Sequence, residues 1–301
     1  MKDMDGLMIN IPPLPFEYCN NIMIVGIGGG FDVFTGLPFV FAFPNKNFIL
    51  VNSSPLKDFL YRETTLDDYP ECGIEANVFK YTVGRHGTKL LAKAYKEIAE
   101  KHEIDFILAV DGGIDSLMFG DEQDSGTLLE DCISMSALDE VEVDHKILCC
   151  AGFGAETEEG INHYRALENI ATLTKEDGFI GSFSLTKQMA EFKLYKNICE
   201  RTWKAGRKSH IQTKIISSVM GQFGDDNLYD GVDAKVIGDS GLVFISPLSS
   251  IFWLFNFDVV IKRNLIIPKM KLGATFSDAL LLYRQFLNEQ TGNRSKLQLP
   301  I

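Results

Sequence analysis

Apolar residues in the first half of the chain come in short runs, each bounded by glycine, proline or polar residues. Such runs are typical of strands that are buried on both faces of a parallel sheet. They predict five strands, at residues 22–27, 47–52, 77–83, 105–110 and 146–151.

Apolar positions between and after these strands follow a helical period. The pattern is clearest at 87–103, where Leu91, Tyr95 and Ile98 share one face. Further elements are predicted as helices at 127–138, 187–205, 209–222 and 275–288, a strand at 241–246 and a helix start at Ser246-Pro247. Strands that alternate with helices imply parallel strands joined by right-handed crossovers. We therefore predict an α/β fold with an open, mostly parallel, Rossmann-like sheet, helices on both faces and a more helical C-terminal half.

The length of 301 residues suits one large α/β domain. Hydrophobic residues make up 46% of the chain, which is enough for a sizeable core. We predict a single domain over 1–301, with 1–20 as an N-terminal extension and 155–240 as a helical cover.

Charge and targeting features narrow the class of protein. The net charge of −12 disfavours nucleic acids and anionic membrane surfaces as partners. The N-terminus mixes acids with apolar residues and prolines, unlike a signal peptide. The apolar run 242–261 contains Pro247 and Asp258, which favours buried core over a membrane span. Six cysteines without a C-x-x-C pair suggest free thiols, so we expect a cytoplasmic protein. A monomer and a homo-oligomer both stay open.

Small and polar residues follow every predicted strand. In open parallel sheets, ligands bind beyond the carboxyl ends of the strands, near the point where strand order reverses. Loops favour these residue types in any case, but paired glycines in three loops favour a shared small-molecule site. Its candidate ligand-binding residues are Gly28, Gly29, Gly30, Asp32, Asn52, Ser53, Arg85, Gly112, Gly113, Ser116, Gly152, Gly154 and Glu156.

The glycine-rich turn after the first strand resembles a phosphate-binding turn. Glycines let the backbone approach a ligand, and a following helix offers free N–H groups to an anion. The dinucleotide fingerprint is incomplete, because Phe31 stands where glycine or alanine is needed and Asn52 replaces the acidic residue that holds a ribose. The alternative is a tight turn that packs strand against helix.

Asp111 and Asp115 follow the fourth strand and are the candidate catalytic residues. The two glycines between them allow a sharp turn that brings the carboxylates together. Such a pair can hold a hard cation, act as general acid or base, or receive hydroxyls and amines of a ligand. The cofactor is therefore open, with a divalent cation as one candidate.

More carboxylates follow in the same stretch. Asp121 and Glu122 are further candidates for ligand binding. We interpret Asp124 as a helix cap and Glu130 and Asp131 as acids in the solvated first turn of that helix.

Three blocks of this sequence resemble the family called domain of unknown function 1152. They are GGGFDVFTGLP, DGGIDSLMFGDEQDSGTLLED, and IFWLFNFDVVIKRNLIIP followed by TFSDALLLYRQFL. The resemblance spans about residues 26–287. The resemblance implies a single α/β unit and points to the same two turns, at residues 28–32 and 111–115. It implies no established reaction.

The sequence therefore favours an enzyme that acts on a polar metabolite, phosphorylated or amino-acid-like, at the carboxyl edge of a parallel sheet. A non-catalytic module that binds a metabolite or nucleotide is the main alternative. A structural subunit whose aspartates only cap turns is the third.

Overall fold

The computed structural model describes residues 14–64, 78–156, 160–204, 209–225, 244–290 and 293–299. The strands within these ranges are β1 (Asn21–Gly26), β2 (Asn47–Ser53), β3 (Tyr61–Glu63), β4 (Val78–Val83), β5 (Phe106–Asp111), β6 (His145–Ala151), β7 (Phe179–Ser184), β8 (Gly224–Asp225), β9 (Phe244–Ile245) and β10 (Ile251–Asn256). The helices are α1 (Leu37–Ala42), α2 (Thr88–Lys101), α3 (Leu129–Asp139), α4 (His163–Lys175), α5 (Ala190–Lys204), α6 (His210–Met220), α7 (Phe257–Arg263), α8 (Ile267–Met270) and α9 (Phe276–Glu289).

One open sheet of eight strands has the order β3-β4-β2-β1-β5-β6-β10-β7. Strands β4, β2, β1, β5 and β6 are parallel. The chain moves outward from β1 through β2 to β4, then returns to the other side of β1 with β5. Strand order therefore reverses between β1 and β5, and the turns after these two strands flank the switch point where α/β sheets bind ligands.

The sheet has an apolar core on each face. Successive side chains of β1 point to opposite faces of the sheet. Met23 and Val25 therefore lie in one core, and Ile22 and Ile24 lie in the other. Helices α2, α3, α4, α7, α8 and α9 contribute to the first core, and α1, α5 and α6 to the second. This confirms the predicted α/β fold with an open, mostly parallel sheet between helices.

The elements of the first half match the prediction closely. All five predicted strands are present and parallel, although residue 77 lies outside the described ranges. The helices predicted at 87–103 and 127–138 correspond to α2 and α3. Strand β3 was not predicted, and it pairs antiparallel with β4 over three residues.

The second half departs from the prediction in its strands. Ser246 caps a single 3-10 turn, Pro247–Ser250, rather than a helix. The chain then enters β10, which pairs antiparallel with β6 and β7. Residues 241–243 of the strand predicted at 241–246 are outside the described part, and within that part β9 pairs with β8.

The predicted helical cover at 155–240 contains α4, α5 and α6, but also β7 at the edge of the sheet. Within the described ranges, no helix has both the length and the apolar character needed to cross a bilayer.

Candidate functional site

Three aspartates meet at the switch point. Carboxylate oxygens of Asp32, Asp111 and Asp131 all lie within 4.8 Å of one another. They come from the turn after β1, the last residue of β5 and the first turn of α3. We call these three residues the aspartate cluster. Residues far apart in sequence are brought together here because both strands end at the same edge and α3 begins there.

Asp32 is held by backbone donors from both turns. Its Oδ2 accepts a hydrogen bond from Gly28 N–H at 2.6 Å, and its Oδ1 accepts one from Gly112 N–H at 3.2 Å. A Cβ on either glycine would come within 2.8 Å of this carboxylate, so the approach needs glycine. Burial and then the charge of Asp115 raise the pKa of Asp32 to about 8.

The glycine-rich turn therefore differs from an anion-binding turn in two respects. The Gly28 N–H donates to a carboxylate of its own chain. The turn continues into a 3-10 segment, Asp32–Gly36, and the six-residue α1, so no long helix begins at it. Gly29 and Gly30 have positive φ angles of 97° and 59°, which explains glycine at both positions.

Asp111 is 2% exposed and accepts two hydrogen bonds from Ser116. The hydroxyl donates to Oδ2 at 2.5 Å and the backbone N–H donates to the same oxygen at 3.3 Å. Burial, followed by the charges of Asp115 and Asp32, raises the pKa of Asp111 well above its ordinary value.

Asp131 completes the aspartate cluster and is 3% exposed. Among the described residues, its Oδ1 atom is buried without a hydrogen-bond partner. A Cβ at Gly28 would lie 2.7 Å from this atom, so the Gly28 turn packs directly against it. Burial and then the charges of Asp115, Asp111 and Asp32 raise the pKa of Asp131 well above its ordinary value.

Asp115 and Glu156 flank the aspartate cluster and are both buried. Asp115 Oδ2 accepts hydrogen bonds from the Thr127 hydroxyl at 3.1 Å and the Thr127 N–H at 3.2 Å. Glu156 accepts the Ile114 N–H at 2.7 Å. A Cβ at Gly113 would clash with the Glu156 carboxylate, which explains the second glycine of that turn.

A cavity of about 550 Å³ opens onto these carboxylates. We call it the acidic cavity, because Asp32, Asp111, Asp115, Asp131 and Glu156 all line it. Arg85 is the one Lys or Arg among the described residues that line it.

A second cavity of about 250 Å³ adjoins the first beyond the ends of β1, β2 and β4. The two share Arg85 and Glu130, which form an ion pair 2.5 Å long. The Arg85 guanidinium also lies 4.0 Å from the centre of the Phe276 ring. We call this second space the side cavity. It contains the predicted residues Gly29, Gly30 and Ser53.

Other predicted site residues lie elsewhere. Asp121 pairs with Arg294 at 2.7 Å. Glu122, 5% exposed, accepts hydrogen bonds from Arg294, Asn169 and two backbone N–H groups. These carboxylates tie the segment 293–299 to the loop before α3, and neither lines the two cavities.

Three further predicted residues are also separate from the cavities. Asn52 accepts the Thr82 hydroxyl at 3.1 Å beside β4. Gly152 packs against Ile211 and Ile215 of α6. Gly154, with a φ of 84°, would place a Cβ in open space.

Asp131 and Tyr283 are among the residues of the acidic cavity that sequence reasoning missed. The interpretation of Asp131 as a solvated first-turn acid is wrong, because α3 is buried along almost its whole length. Tyr283 of α9 also lines the acidic cavity, and burial raises the pKa of its hydroxyl to about 12. A signal for Asp131 was present, since the helix segment CISMSAL carries no charged residue on any face.

The fold and the site define an α/β protein with a buried carboxylate cluster at the switch point of a mostly parallel sheet. The family described as "Protein of unknown function (DUF1152)" matches residues 75–286, and the chain belongs to this family. The matched range contains Asp111, Asp115 and Asp131 and begins after the Asp32 turn. Neither curated proteins nor solved structures provide a match to the chain.

Proposed function

We propose that this protein is an enzyme that uses a divalent cation, held by the aspartate cluster, to act on a small phosphorylated metabolite. The observation that carries the proposal is the convergence of Asp32, Asp111 and Asp131 with oxygens within 4.8 Å of one another. Asp131 adds a buried oxygen that lacks a hydrogen-bond partner among the described residues.

The donor chemistry fits a hard cation. Carboxylate oxygens are the ligands that Mg²⁺, Mn²⁺ and Ca²⁺ prefer. The three side chains of the aspartate cluster offer carboxylate oxygens and no nitrogen or sulfur ligand. Several buried carboxylates in one cavity repel each other and lose hydration, which is costly unless a cation or protons compensate. The raised pKa values of Asp32, Asp111 and Asp131 are the expected result of that cost without a cation.

The way in which such cations bind supports a phosphorylated substrate. Mg²⁺ is commonly held by one or two carboxylates together with substrate phosphate oxygens. The bound ion then supplies charge neutralisation at phosphorus. Arg85, at the boundary of the two cavities, can bind a phosphate oxygen once it leaves Glu130. In hydrolysis, the water oxygen bonds to phosphorus, the bond from phosphorus to the alcohol oxygen breaks, and the alcohol oxygen gains the proton that the water loses. We assign Asp115 to take the proton from the attacking water.

The cysteines support the expected cytoplasmic location. Cys19, Cys132, Cys149, Cys150 and Cys199 are all buried free thiols, as is usual in a reducing compartment.

Phosphate release from a panel of phosphorylated metabolites tests the proposal. We expect release with Mg²⁺ or Mn²⁺, loss of release with a chelator, and loss in Asp111→Asn and Asp131→Asn. The matched control is Asp144→Asn, an exposed carboxylate just before β6 at the opposite edge of the sheet. Release that persists with a chelator would contradict the proposal. Binding of cation and phosphate without turnover would favour the non-catalytic binding module.

A further inference from the structure

We infer that the side cavity is the specificity pocket of the same site and takes a compact apolar ring attached to the substrate's phosphate group. This inference rests on the proposed function and names the substrate class: small phosphate esters with a ring next to the phosphate. It depends on three features of the side cavity, namely its walls, its size and its junction with the acidic cavity.

The walls of the side cavity are largely apolar. Ile27 follows β1, Leu91 lies on α2, Ile133 on α3 and Phe276 at the start of α9. Polar atoms come from a few places, including Ser53 at the end of β2. Pockets for small molecules combine such apolar walls with a few polar groups that fix orientation. A purely ionic ligand would leave these walls unused, so the ligand portion here carries an apolar surface.

The size of the side cavity limits what it takes. Its volume of about 250 Å³ is below the roughly 300–1,000 Å³ of pockets that enclose a whole drug-sized ligand. The side cavity therefore suits one ring, with the remainder of the substrate in the acidic cavity.

The junction places the anionic group of the substrate between the two spaces. Arg85 and Glu130 line both cavities and pair with each other there. One face of the guanidinium is already stacked on Phe276, with 4.0 Å between the carbon centre and the ring centroid. An anion at this point would attract Arg85, while the attached ring would lie beside Phe276.

Phosphonates provide a test that turnover does not disturb, because their phosphorus–carbon bond resists hydrolysis. Phenylphosphonate and methylphosphonate differ only in the ring, and both are titrated calorimetrically into the full chain with saturating Mg²⁺. We expect phenylphosphonate to bind at least about tenfold more tightly, a difference that burial of a few apolar carbons supplies. Ser53→Ile, which fills the side cavity with a strand-compatible residue, should remove that difference and leave Mg²⁺ affinity unchanged.

Phe276→Ala is the second variant, in case Ser53→Ile does not fold. It should weaken phenylphosphonate more than methylphosphonate, because it removes the aromatic wall. Equal binding of the two phosphonates, or a ring preference that survives both variants, would overturn the inference and leave the proposed function standing. If neither phosphonate binds with Mg²⁺ present, the inference and the proposed function both fail.

Discussion

Asp32 accepts a hydrogen bond from the backbone N–H of Gly112 at 3.2 Å, and this bond joins the turn after β1 to the turn after β5. The same carboxylate accepts the Gly28 N–H within its own turn. One side chain therefore fixes the relative position of the two turns that carry the aspartate cluster. Its structural and functional roles can be separated by the choice of substitution.

Asp32→Ala should destabilise the protein much more than Asp32→Asn. Alanine leaves two partly buried backbone donors without their acceptor, and each such loss costs about 1 kcal/mol, the low end of the range for a buried group. Asparagine keeps one of the two acceptor oxygens, loses the other and removes repulsion from Asp115, so we expect its free energy of unfolding to lie between those of the alanine variant and the wild type. Urea denaturation without divalent cation measures both. Equal losses in the two variants would show that charge, rather than the hydrogen bonds, holds the turns.

Stability without cation should fall as pH rises. The pKa of Asp32 is about 8 in the folded protein, against an ordinary value of 3.8. Between these values the folded state binds a proton that the unfolded chain has released. The contribution of Asp32 to the free energy of unfolding is therefore fully present below about pH 4 and is lost as pH rises through about 8. Asp111 and Asp131 shift in the same direction.

Urea midpoints across this pH range, measured with a chelator present, test the pH dependence. Added Mg²⁺ should recover more stability at high pH than at low pH, because protons and cation compete for the same carboxylates. Stability that rises steadily towards alkaline pH without cation would contradict this account.

Glu122 and Asp111 should respond in opposite ways to neutral substitution. Glu122 accepts hydrogen bonds from Phe119 N–H, Gly120 N–H, Asn169 and Arg294 at 2.5–2.9 Å. Glu122→Gln removes the charge from a buried ion pair and should lower the free energy of unfolding by about 3 kcal/mol. The stabilisation of this variant by Mg²⁺ should be retained. Asp111→Asn should leave metal-free stability equal or higher and lose the response to Mg²⁺.

Denaturation curves of Asp111→Asn and Glu122→Gln, with and without Mg²⁺, test this contrast directly. A loss of about 1–3 kcal/mol in Asp111→Asn with an unchanged Mg²⁺ response would make Asp111 a structural residue.

The parallel part of the fold was predictable because its strands are buried on both faces. Runs such as residues 105–110 and 146–151 are almost wholly apolar, and turn residues bound them. The antiparallel strands carry weaker signals. β7 has the sequence FIGSFS, in which serine and glycine interrupt the apolar pattern. β10 follows a proline-containing turn inside a longer apolar run, so its period could not be distinguished from that of a helix.

The site was predictable as far as strand ends determine it. Asp32, Asp111 and Asp115 were expected at one edge, and all three line the acidic cavity. Asp131 could not be placed by that rule, because its position depends on how deeply α3 is buried. The ion pair of Glu122 could not be predicted from strand ends either, because its partner Arg294 is 172 residues away in sequence.

Calorimetric titration of Mg²⁺ and Mn²⁺ into the metal-free protein tests the central claim most directly. We predict one cation site in the wild type and in Asp144→Asn, and loss of that site in Asp131→Asn. Cation at about 100 times its dissociation constant should add roughly 2.7 kcal/mol to the free energy of unfolding of the wild type. The absence of cation binding to the wild type, or binding that Asp131→Asn leaves intact, would contradict the account.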